Sequence, residues 1–276
     1  MKLKHLLLAL LLFGSCLTAA AQFKYDLNDD GVVNAADVVV LINVILGKAP
    51  EQESNAPAGA KAVDLGLPSG TKWANMNVGA EKPEDYGLYF AWGETQGYTS
   101  DTSDGRSFDW ASYKWMNPGQ PSGMQVNKYQ GKDGQIGGCW YDSERNFIGD
   151  GKTTLDLADD AANANWGGSW RMPTNEEVEE LIENTTSEWS TVNGVNGFRF
   201  TSKTNGNSIF LPAAGVRNAS YSPDDRQGAY GYYNSSSLSK SSSDDARILQ
   251  FKSGGYVYAY YGRRCLGHSV RPVLSN

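Results

Sequence analysis

Gly167-Gly168-Ser169-Trp170-Arg171-Met172-Pro173-Thr174 runs directly into Asn175-Glu176-Glu177-Val178-Glu179-Glu180-Leu181-Ile182. Thr174 stands where a helix needs an N-cap, and Glu177 three residues later completes the capping-box pattern, in which side chain and backbone satisfy each other's free donors. Glu176 and Glu177 in the first turn suit the positive end of the helix dipole. Val178, Leu181 and Ile182 fall on one face. The spacing predicts a helix from Asn175 with that face buried.

On either side the chain reads as short strands broken by glycine turns. Upstream these are residues 62–74, 77–80 and 83–94, and downstream 197–201, 208–212, 246–251 and 267–273. One helix among many short strands, with 31 Gly and only 20% charged residues, predicts a loop-rich and β-rich body. With 8 Trp and 15 Tyr, the chain carries far more aromatic surface than a disordered one.

The first residues read differently. Lys2 and Lys4 precede the apolar run 6–13, and Ala19-Ala20-Ala21 closes it. That order is a secretory signal peptide over residues 1–21, cut before Gln22. The run is too short to span a bilayer core of about 30 Å, so no transmembrane segment is expected after cleavage. The alternative is a lipoprotein signal with Cys16 as the acylated residue, against which Phe13 stands where an aliphatic residue is preferred. Loss of Lys2 and Lys4 takes the formal charge of −7 to about −9. An acidic chain without a basic stripe makes a poor nucleic-acid binder, because phosphate contacts need Lys and Arg.

Residues 26–37 read Asp-Leu-Asn-Asp-Asp-Gly-Val-Val-Asn-Ala-Ala-Asp. Calcium takes six to eight hard oxygen ligands, supplied in an EF-hand loop from positions 1, 3, 5, 7, 9 and 12. Those positions are Asp26, Asn28, Asp30, Val32 (through its carbonyl), Asn34 and Asp37, with Gly31 at the sharp turn. Asp rather than Glu at position 12, followed by the apolar segment 38–47, resembles one repeat of a dockerin, and the cofactor this implies is calcium. A full dockerin has two such repeats and docks a cohesin. No second Asp-x-Asn-x-Asp-Gly run follows, so residues 22–48 form half a dockerin. Its apolar helix must be covered by the main domain, by another copy or by a partner. Residues 49–61, rich in Pro, Ala, Gly and polar side chains, have linker composition.

The body resembles the family named the Fibrobacter succinogenes major paralogous domain. Three blocks carry the resemblance: Asp-Leu-Gly-Leu-Pro-Ser-Gly (64–70), Gly-Gly-Ser-Trp-Arg-Met-Pro-Thr (167–174) and the closing Ser-Val-Arg-Pro-Val (269–273). Over residues 62–276 it implies a loop-rich α+β domain of C-type-lectin-like, formylglycine-generating-enzyme-like fold in which the terminal strands come together, and it implies a fold more than an activity. The oxidases of that fold use two nearby cysteines late in the chain, whereas here Cys265 is late and Cys139 far upstream. Lectin-type calcium ligands around a Pro are missing as well. Pro83-Glu84-Asp85 reads as a turn.

Catalysis finds little footing. His5 lies in the signal peptide, leaving His268 as the one imidazole of the mature chain, without the partner pattern of a triad. One His and two Cys exclude a zinc site built from several such ligands. Asp159-Asp160 is a carboxylate pair, but adjacent residues at a helix start point apart, and capping is the simpler role. Cys139 and Cys265 are either a disulfide, which export allows, or two buried thiols.

Trp73, Trp92, Trp166 and Trp170 read as core. Trp110 and Trp115, in the run 108–115, and the tyrosines of 256–261 are candidates for exposed contact. So are Tyr232 and Tyr233 within the Ser/Asn/Tyr-rich stretch 218–245, which has either paratope-like composition or that of a solvated loop. The leading expectation is an exported calcium-binding interaction or adhesion protein whose lectin-like domain binds a glycan or a protein. The rivals are an enzyme or accessory protein of polysaccharide degradation, and an envelope component assembling through its N-terminal helix.

Overall fold

The computed structural model describes residues 54–117, 126–132, 140–219, 226–240 and 242–275, together with Val33, Val38 and Leu41. The chain divides into two compact units, Met1–Glu53 and Ser54–Asn276. Val38 and Leu41, in the segment expected to leave the calcium loop as a helix, are both helical. The signal segment, Cys16 and the six proposed calcium ligands lie outside the described residues.

Among its described residues the second unit holds twelve short strands and two α-helices, an α+β arrangement dominated by sheet. A four-stranded sheet has the order β1 (Ala62–Asp64), β2 (Lys72–Ala74), β12 (Val273–Leu274), β4 (Trp170–Arg171). Strands from the two ends of the domain therefore share one sheet, with β12 antiparallel to β2 through Val273 opposite Trp73. A five-stranded sheet runs β10 (Tyr256–Arg263), β9 (Asp245–Lys252), β8 (Tyr230–Leu238), β11 (His268–Ser269), β3 (Tyr89–Phe90). Its pairings are antiparallel except β11 against β8, which is parallel. A third sheet is the meander β5 (Thr185–Val192), β6 (Val195–Ser202), β7 (Ser208–Pro212).

The helix α1 (Ala161–Trp166) is capped by Asp160, whose carboxylate accepts from the amides of Ala162 and Asn163. The predicted helix is α2 (Asn175–Asn184), and its capping box is formed as the sequence requires. The Thr174 hydroxyl accepts from the Glu177 amide at 3.3 Å, and the Glu177 carboxylate accepts from the Thr174 amide at 2.8 Å. Val178 and Leu181 are buried and Ile182 half-buried, against Trp73, Phe198 and Phe251. A second cluster gathers Met76, Trp92, Trp166, Trp170 and Val270. All four tryptophans expected in the core are there.

Two expectations change. Residues 54–61, expected as part of a linker, belong to the second unit: the Asn55 amide donates to the Trp166 carbonyl at 2.6 Å, the Lys61 amide to the Asn75 side chain at 2.8 Å, and Ala56 and Ala60 pack on the tryptophan cluster. Small residues between prolines read as linker, but small residues are also what close packing on a tryptophan surface needs. The Ser/Asn/Tyr-rich stretch is also neither a paratope nor a solvated loop over its strand. Gly231 to Ser236 are buried in β8, a central strand. Its polar side chains are paired: Ser235 donates to the Arg247 carbonyl at 2.8 Å, and Asn234 to the Phe90 carbonyl at 3.0 Å. A polar run tolerates burial when every group finds a partner.

Candidate functional site

One face of the five-stranded sheet packs on α2 through Leu249, Phe251, Val257 and Ala259. Pairing across the strands puts Tyr232, Gln250 and Tyr258 side by side on the opposite face. There a cleft of about 380 Å³ opens, lined by Trp110, Arg226, Tyr232, Gln250, Tyr261, Arg263 and their neighbours. Its size lies in the range of small-ligand pockets, roughly 300–1,000 Å³.

The wall carrying Trp110 is an irregular loop held by buried charge. Arg217, 2% exposed, donates to Asp104 at 2.8 Å and to the carbonyls of Thr99 and Arg106. Arg106 pairs with the Glu94 carboxylate through both oxygens, at 2.9 and 2.8 Å. The two guanidiniums each lie 5.0 Å from the ring centre of Phe108. Phe108 takes the left-handed backbone region with φ 50, and Gly267 beneath leaves room for its ring, where a methyl group would collide. Asp109 next to it is fixed in its own turn, accepting from the Ser112 amide at 2.9 Å. Burial works against its ionisation, but the bonds from Ser112 and Ser107 outweigh it and lower its pKa.

The floor is aromatic and neutral. Tyr232 stacks on His268 at 5.7 Å and on Tyr230 at 6.0 Å, and its hydroxyl accepts from Arg226 at 2.6 Å. The His268 Nδ1 meets the Asn234 side-chain oxygen at 3.1 Å, an amide rather than a carboxylate. Burial depresses the imidazole to about 3, so it stays neutral at ordinary pH. Cys265 beside it is buried and carries a free thiol, pushed up to about 12 by burial. Cys139, its expected partner, lies outside the described residues.

The four proposed contact residues therefore separate. Trp110 and Tyr232 meet in the cleft. Trp115 does not: its indole donates to the Gly93 carbonyl at 2.9 Å, and the ammonium groups of Lys114 and Lys128 cover its ring at 4.2 and 4.8 Å. Tyr233 is corrected outright. It points to the opposite face, 2% exposed, with its hydroxyl donating to the Pro212 carbonyl at 2.6 Å. One step along a strand reverses the face, which composition cannot register. Tyr261, Gln250 and Arg263 were missed individually, although 256–261 was marked as a candidate run for contact.

Asp159 and Asp160 serve different neighbours, as expected of adjacent carboxylates. Asp159 accepts from the Tyr129 hydroxyl at 2.6 Å and pairs with Lys128 and Lys114, while Asp160 caps α1 and accepts from the Met172 amide at 2.8 Å. Among the described residues no cluster of three or more His, Cys, Asp or Glu side chains could hold a metal ion, and no helix is long and apolar enough to cross a membrane.

Comparison with known families matches residues 24–65 to the family described as the Dockerin type I domain. It covers the calcium loop, the segment expected as a linker and the strand β1. Dockerin type I domains bind calcium and act as protein–protein interaction modules. Neither a curated protein nor a solved structure matches the chain.

Proposed function

We propose that the chain is an exported, calcium-dependent interaction protein: a half-dockerin that recruits a protein partner, joined to a lectin-like domain that binds a ligand of its own. The observation that carries this reading is the dockerin match at residues 24–65 falling on a complete donor set. Asp26, Asn28, Asp30, the Val32 carbonyl, Asn34 and Asp37 offer only oxygen, three of them carboxylates, and Gly31 allows the turn between them. That is the donor chemistry a hard divalent cation selects, and it suits calcium rather than zinc. Bound there, calcium would order the loop and so present the apolar segment 38–47 to a partner. A cohesin is the partner class that dockerins bind. With a single loop in this chain, its recognition surface is half the usual one.

Two observations in the second unit support the lectin-like part. The strands at the two ends of the domain share a sheet, and an open cleft lined by aromatic and polar side chains lies on the five-stranded sheet.

Titration of calcium into the mature chain, beginning at Gln22, tests the metal. Heat of binding is expected in the unsubstituted protein and is lost in Asp26→Ala and Asp37→Ala. No heat in the unsubstituted protein removes the calcium site. Capture of a cohesin on immobilised protein, with calcium and then with EDTA, tests the docking. Retention that EDTA does not change would sink the calcium-dependent mode.

A further inference from the structure

The cleft beside β8–β10 is built for a particular kind of ligand. Of the aromatic side chains that line it, two on different elements are not fully buried: Trp110, half-buried in the loop, and Tyr261, 42% exposed near the end of β10. A second ring, Tyr260, stacks on Tyr261 at 4.3 Å and holds its plane. Aromatic rings with one polar end suit ligands that are part apolar and part wet, and the faces of pyranose rings are of that kind.

The polar groups define the class further. Among the described residues, no hydrogen bond or ion pair reaches the exposed guanidinium of Arg263 or the amide of Gln250. Both line the cleft. Arg226 adds a second guanidinium, positioned by the Tyr232 hydroxyl. Among the described lining residues the one carboxylate, Asp109, is already engaged by its own turn. Arg263 therefore offers the cleft a guanidinium that none of these lining groups occupies, in a chain whose formal charge is −7. A guanidinium fork is the best side-chain match for a carboxylate, which it takes through two parallel bonds. A side-chain amide offers a donor and an acceptor together, the pair that adjacent sugar hydroxyls need.

We propose that this cleft binds an acidic carbohydrate: a chain of uronate residues whose ring stacks on Tyr261 and Trp110 while its carboxylate sits on Arg263. An acidic peptide shares the charge but fits the site less well. Extended peptides bind by adding a strand to a sheet edge, whereas the floor here is the side-chain face of the sheet and offers no row of backbone groups. The assignment rests on the lectin-like reading and gives that reading its ligand class and its site.

The test is calorimetric titration of the mature chain in EDTA, which removes any contribution from the calcium loop. The probes are galacturonate, glucuronate and mannuronate trimers, the neutral methyl ester of each, and a hexaglutamate peptide. At least one acidic trimer is expected to bind, with its methyl ester weaker by about tenfold or more. Arg263→Gln and Tyr261→Ala, both at exposed positions, are each expected to weaken binding by about tenfold. The assignment is overturned if no trimer binds, if ester and acid bind alike, if hexaglutamate binds as tightly, or if both variants leave affinity unchanged. A glycan that binds equally well to both variants would leave the lectin-like reading standing and remove this cleft from it. Absence of binding to any glycan in a broad array would remove both.

Discussion

Arg271 Nε donates to the Asn77 side-chain oxygen at 2.8 Å across 194 residues of chain, with both side chains fully buried. The same guanidinium donates to the Ala74 carbonyl at 3.0 Å and to the Phe210 carbonyl at 2.9 Å. No carboxylate takes part. Burial lowers the pKa of Arg271 to about 10, which still leaves it charged at neutral pH. The closing motif is thereby tied to the segment after β2 and to β7, and the domain is closed by a cation held on neutral oxygens. Arg271→Met would leave three buried acceptors without donors, each worth about 1–3 kcal/mol when orphaned. A loss of at least about 3 kcal/mol of stability is expected, seen as a lower urea midpoint at unchanged slope. A shift below about 1 kcal/mol would show that the guanidinium is dispensable.

His268 makes stability depend on acid. Its pKa is about 3 in the fold against 6.5 for an unconstrained imidazole. Between those values the unfolded chain binds the extra proton, so stability rises with pH there and is lost as pH falls from about 6.5 toward 3. The slope from this one group is about 1.4 kcal/mol per pH unit. Urea unfolding of the unsubstituted chain and of His268→Phe between pH 4 and 7 reads it directly. The variant is expected to show the shallower dependence, and parallel profiles would refute a buried neutral imidazole.

Cys265 tests the sulfur chemistry. The thiol is 2% exposed and raised to about 12, so native protein at pH 7.5 is expected to leave it unmodified by iodoacetamide for hours, the reactive thiolate being scarce. In denaturant without reductant, peptide mapping should find it alkylated. Labelling that appears only after reduction would establish a disulfide to Cys139 in its place.

Much of the local structure was legible in the residues, for local reasons. Thr174 and Glu177 state the start of α2 by themselves, because a capping box is satisfied within four residues. Phe198, Phe200, Ile209 and Leu211 announce β6 and β7, since alternation is a property of the strand alone. The dockerin match over residues 24–65 is equally local, resting on a run of Asp and Asn side chains with a glycine within twelve residues.

The cleft was not legible, and neither was the closure of the domain. Trp110 and Tyr232 are separated by 122 positions, and the residues marked beside them, Trp115 and Tyr233, turn out to serve the interior. Which tyrosine of a pair faces ligand depends on strand register, and register is decided by the packing of the opposite face against α2. Residues 54–61 became part of the domain because a tryptophan surface awaited them. Short-range patterns therefore determined the helix start, the strand alternation and the likeness to a dockerin. Only the tertiary structure decided which aromatic rings were left for a ligand, because exposure is a property of what the rest of the chain has already covered.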